Sequence, residues 1–95
     1  MKRKKRTNID AVLNMVREYL DGQIDRTGLS LDFQYELEKR YEKMRSEDSE
    51  YAELIHDRLL EDGVYRAERL SDEKFRELIR CQYEDVLDIA NGGFL

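Results

Sequence analysis

Glu53-Leu54-Ile55-His56 is the one place where this chain spaces a carboxylate and an imidazole for joint chemistry. Glu-x-x-His puts both side chains on one helix face, the arrangement that di-iron helical bundles use. Such a centre needs a second Glu-x-x-His and further inward carboxylates, and the chain has a single histidine. Only a homodimer would complete the set. His56 is therefore read as a half-exposed helix residue beside Glu53 and Asp57. Cys81 has no histidine near it in sequence to generate a thiolate, and it reads as a filler residue at the edge of a helical stripe. No phosphate-binding glycine loop, zinc spacing or nucleophile elbow occurs. The expectation is a protein that is not an enzyme, with no catalytic residue, metal ligand or cofactor.

Charge is more informative than these motifs. The net charge is −5, but Lys2 to Arg6 is an unbroken basic run. Setting those five residues aside lowers the basic count from 17 to 12 against 22 acidic residues, so residues 7–95 carry a formal charge of about −10. A body of that sign cannot displace counterions from phosphates, which argues against direct binding of nucleic acid by the folded part. It fits a basic protein partner or a solubility requirement. The acidity peaks between Glu47 and Asp62, where seven acidic residues accompany one basic residue, Arg58. Glu50, Glu53, Asp57 and Glu61, three or four apart, are expected to form one carboxylate stripe along a helix. Like charges at that spacing weaken an isolated helix by about 0.2–0.5 kcal/mol per pair. A stripe that lowers stability invites reading Glu47, Glu50, Glu53, Asp57, Glu61 and Asp62 as a docking face for lysines and arginines, with Tyr65 as an aromatic anchor. The competing reading is a solvated face.

The elements that must carry this face follow from periodicity. The chain has 95 residues, no proline, 40% hydrophobic and 41% charged residues, which suits one small helical domain with one thin core. Residues 1–6 are expected to be a disordered basic tail, and residues 7–95 a single domain. The dominant stretch is Ser71 to Ala90. Phe75, Leu78, Ile79, Tyr83, Val86, Leu87 and Ala90 form one apolar stripe. Ser71 is the expected N-cap, Asp72 and Glu73 favour the first turn, Leu70 and Phe75 are placed for a hydrophobic staple, and Gly92-Gly93 marks the stop.

A first helix over about 8–21 buries Ile9, Val12, Leu13, Val16, Tyr19 and Leu20, with Thr7 and Asp10 as a capping pair and Gly22 as its stop. A connector from Gly22 to Gly28 leads to a second helix over about 30–45, built on Phe33, Leu37, Tyr41 and Met44 with Leu31 and Tyr35 alongside. A third, over about 48–62, buries Tyr51, Leu54, Ile55 and Leu59 and stops at Gly63. One continuous helix over 30–62 is the alternative, since neither glycine nor proline breaks the run. The fold expected is an all-α, antiparallel up-and-down four-helix bundle. Phe94 and Leu95 are expected to fold back on the core. No apolar run reaches the roughly 20 residues of a membrane span, and no hydrophobic region follows the basic start. With one cysteine, the expected setting is the reducing cytoplasm, with no membrane contact.

Three segments carry a family resemblance: Tyr19-Leu20-Asp21-Gly22-Gln23-Ile24-Asp25, Leu31-Asp32-Phe33, and Leu70-Ser71-Asp72-Glu73-Lys74-Phe75-Arg76-Glu77-Leu78-Ile79. Together they resemble the colicin D immunity family, bacterial proteins that neutralise tRNA-cleaving toxins. The resemblance implies a four-helix bundle whose acidic face fills the basic tRNA cleft of a nuclease by standing in for phosphate. The basic Lys2–Arg6 run departs from the family pattern. A helical adaptor that recognises a partner helix, or that homodimerises through Tyr65 and the apolar C-terminus, is the alternative function.

Overall fold

The computed structural model describes residues 6–91; the expectations for the Lys2–Lys5 run, for Gly92-Gly93 as a stop, and for Phe94 and Leu95 lie outside the described residues. Helix α1 spans Thr7–Leu20, α2 Arg26–Glu47 and α3 Ser49–Ile55. Helix α3 continues without a break into a π-helical segment, His56–Tyr65, and α4 spans Asp72–Ala90. The chain is an all-α four-helix bundle, with no strand among the described residues. No helix among them is long and apolar enough to cross a membrane.

Contacts between helix ends fix the antiparallel order. At one end, the start of α1 meets the last residue of α2. Arg6 Cζ also lies 5.1 Å from the centre of the Tyr51 ring in the first turn of α3. At the other end, Arg76 in the first turn of α4 donates to the carbonyls of Tyr19 (3.2 Å) and Leu20 at the end of α1. Arg26, the first residue of α2, donates to the carbonyls of Ala67 (3.2 Å) and Glu68 (2.9 Å) and to Asp72 (2.8 Å). Both arginines thus satisfy carbonyls left over where the chain turns. The same guanidinium groups lie over aromatic rings, Arg26 on Phe75 and Arg76 on Tyr19, and those two rings meet edge to face at 5.8 Å. Phe75 packs there, while Leu70 is exposed.

Two helix starts differ from expectation. Thr7 is helical and Arg6 stands at the N-cap without a side-chain bond; the orphan N–H groups are met from α2 instead. Helix α2 begins at Arg26, not Ser30, because Asp25 accepts from the Gly28 N–H at 2.7 Å and caps it. Leu29, assigned to neither helix nor core from sequence, is fully buried. Leu31 and Tyr35 instead face outward, 69% and 62% exposed. Helices α2 and α3 are separate, and the break is one extended residue, Asp48, whose side chain accepts from the Tyr51 N–H. Gly22 does stop α1. It adopts φ +86°, with its N–H on Tyr19 O and the Gln23 N–H on Glu18 O, the paired bonds of a Schellman cap.

Gly63 does not stop the third helix; it lies buried inside the π-helical segment. Continuing Ile55 and Leu59 at 3.6 residues per turn would carry Asp62 and Arg66 toward the core. The wider π turn instead buries Leu59, Leu60, Gly63 and Val64, and leaves Asp62 in solvent. A side chain at Gly63 would come within 3.3 Å of Ile79 on α4 and 3.1 Å of the Arg58 carbonyl. The core draws on all four expected stripes, centred on Ile9, Val12, Phe33, Leu37, Ile55, Leu59, Phe75 and Ile79, and adds Leu29, Ala52 and Leu60, while Ala90, expected in the α4 stripe, is exposed.

Candidate functional site

The expected docking residues all lie on the α3–π segment, at the end of α2, or just beyond, and the bundle treats them differently. Glu47 is the clearest departure. Its carboxylate accepts from the backbone N–H groups of Asn8 (2.9 Å) and Ile9 (3.0 Å) and from Asn8 Nδ2 (2.7 Å). It therefore caps α1 from across the bundle, where the helix dipole favours negative charge. Arg40 completes the arrangement by bonding both Asn8 Oδ1 (2.8 Å) and Glu36 (2.9 Å), and that hydrogen bond holds the Glu36 carboxyl below its ordinary range. Glu47 thus has a structural role of its own, as the cap of α1, that its place in the acidic run did not reveal.

Glu50, Glu53, Asp57, Glu61 and Asp62 are all exposed. They do not form one uniform stripe, because the helix changes pitch at His56. Glu53 faces Arg45 of α2, 3.7 Å away. Asp57 and Glu61 lie 3.5 and 3.8 Å from His56 Nδ1. His56 and Glu61 are five residues apart and meet because the segment is π-helical. The imidazole, 34% exposed, also lies against the Tyr41 ring. Its carboxylate neighbours are Asp57 and Glu61, whereas Glu53 turns to Arg45. His56, Asp57 and Glu61 are the one group of potential ligands found close together among the described residues, and two of the three are exposed.

Arg58, the one cation in this stretch, bonds Asp85 of α4 at 3.1 Å. It is thereby drawn to the flank of the acidic surface and ties α4 to it. Tyr65 is 45% exposed, as expected for an anchor, but it sits apart from Glu50. It lines a groove with Arg26, Ser30, Gln34, Val64 and Glu68 at the opposite end of the bundle. Cys81, read as a filler at the edge of the α4 stripe, is exposed, with its Sγ 3.8 Å from Glu77.

At the start of α3, Asp48, Glu50, Tyr51, Leu54, Ile89 and Ala90 enclose a cleft of about 200 Å³. No local pattern announces it, since Ile89 falls outside the apolar stripe of α4 and only the antiparallel packing brings it to Leu54. The structure thus presents an acidic helix face, with a cleft at the start of α3. The chain matches no known protein family, no curated protein and no solved structure.

Proposed function

We propose that this is a non-enzymatic binding protein of the immunity type, which neutralises a basic, tRNA-cleaving nuclease by laying the α3–π face over its cleft. One observation carries the reading. Five carboxylates, from Glu50 to Asp62, are exposed on a single buttressed segment, and the one arginine within it is drawn aside to Asp85. Held by core residues on its other side, the face needs little ordering on binding, which limits the entropic cost of association. Its negative field would speed encounter with a basic cleft, and salt would slow that encounter. The mechanism is occlusion: carboxylates take the places of tRNA phosphates.

The test is capture of a basic nuclease from the native cell lysate at low salt, then cleavage of tRNA by that nuclease with the protein added at increasing ratio. Stoichiometric inhibition, with an association rate that falls steeply from low to high salt, is the expected result. Undiminished cleavage at tenfold excess would reject the reading.

The exposed Leu31–Tyr35 pair on α2 favours a second reading, a helical adaptor that pairs with a partner helix or a second copy. Sedimentation would reveal it as a salt-insensitive dimer that Tyr35→Ser dissociates.

A further inference from the structure

We infer that the cleft between α3 and the end of α4 receives one arginine side chain of the basic partner. The inference rests on the docking reading of the acidic face and names the anchor within it. The cleft has a floor of Tyr51, Leu54, Ile89 and Ala90 and carboxylates at Asp48 and Glu50. That combination suits a long side chain with an apolar stem and a cationic head. At about 200 Å³ it is smaller than the roughly 300–1,000 Å³ of sites for drug-sized ligands, and fits a single side chain. Charge complementarity selects a cation. Asp10, Asp48 and Glu50 stand around Tyr51 against the single charge of Arg6. The Tyr51 ring already carries one guanidinium, that of Arg6 at 5.1 Å, so the site tolerates a planar cation at its edge. A guanidinium can bond two carboxylates at once, which an ammonium does less well. A cationic side chain buried at the centre of an interface is also the type of residue that dominates binding energy.

The experiment is a titration of the isotope-labelled full chain, at low salt, with an acetylated and amidated Gly-Arg-Gly peptide. The same peptide carrying citrulline, equal in shape but uncharged, is the comparison. The arginine peptide should move the methyl resonances of Leu54 and Ile89, and the citrulline peptide should not. Glu50→Gln should weaken the effect about fivefold, while Asp32→Asn, an exposed carboxylate on α2 outside the acidic face, leaves it unchanged. Shifts confined to Asp57, Glu61 and Asp62, or equal shifts with citrulline, would overturn the inference. So would a cleft that responds only after Phe94→Ser and Leu95→Ser are introduced, because the chain's own end would then be its occupant. The titration uses no nuclease, so its failure leaves tRNA protection to be judged independently, and a failure of protection leaves the titration result standing.

Discussion

Glu47 shows how a charged residue's role depends on what it faces. By type and position it belongs with the acidic face, yet its carboxylate closes three hydrogen bonds to the first turn of α1. Removing a helix cap typically costs about 0.5–2 kcal/mol. Glu47→Ala should therefore lower the unfolding free energy, read from urea denaturation, by that order, while Glu50→Ala, on an exposed site, should leave it within about 0.5 kcal/mol. Equal midpoints for the two variants would remove Glu47 from the cap. Arg26 is the counterpart at the other end of the bundle. Its guanidinium bonds two carbonyls and Asp72 while covering Phe75. Arg26→Ala should destabilise by about 1–3 kcal/mol, since it leaves the partly buried Ala67 carbonyl unmet and uncovers the Phe75 ring, and Arg26→Lys should recover only part of this, having no fork to span three acceptors. Thermal or urea unfolding reads both.

At the scale of elements, the π-helical segment decides which residues face the core and which face a partner. Gly63 makes it possible: a methyl there meets the Arg58 carbonyl at 3.1 Å and Ile79 at 3.3 Å. Gly63→Ala should cost about 1–3 kcal/mol by overpacking against α4. If the variant is as stable as the parent, close packing at Gly63 is not what the glycine serves. This element also marks the limit of what sequence revealed. The stripes of α1 and α4 were legible because their apolar residues keep a strict helical period and their termini carry ordinary signals, Gly22 and Ser71. The start of α2 was not, because Arg26-Thr27-Gly28 resembles a turn until Asp25 is seen capping it. The pitch change at His56 leaves no mark in a 3.6-residue pattern, so the stripe was drawn straight through it. The five exposed carboxylates and the exposed Tyr65 were foreseen. The roles of Glu47, Ile89 and the His56–Glu61 pair arise from packing across the bundle, which no local pattern encodes.

For the whole molecule, stability and charge can be probed separately. Burial raises the phenols of Tyr19 and Tyr51 above the ordinary value of 10.0. Above that value the unfolded chain releases these protons while the folded chain retains them. The associated stability is thus fully present below pH 10 and is lost as pH rises through the folded-state values. The melting temperature should hold between pH 7 and 9 and fall above 10, and Tyr51→Phe should blunt the fall. A decline that begins well below pH 9 would assign it to other groups.

Partner recognition responds to other variables. A body with a formal charge of about −10 outside the Lys2–Arg6 run should bind a basic surface in a salt-dependent way. The most direct measurement is binding of a basic nuclease captured from the native lysate to the quadruple variant in which Glu50, Glu53, Asp57 and Glu61 are replaced by lysine, with helix content followed by circular dichroism. The account predicts unchanged helix content with binding abolished. A folded quadruple variant that binds as tightly as the parent would contradict it, and would move the contact surface away from the α3–π face.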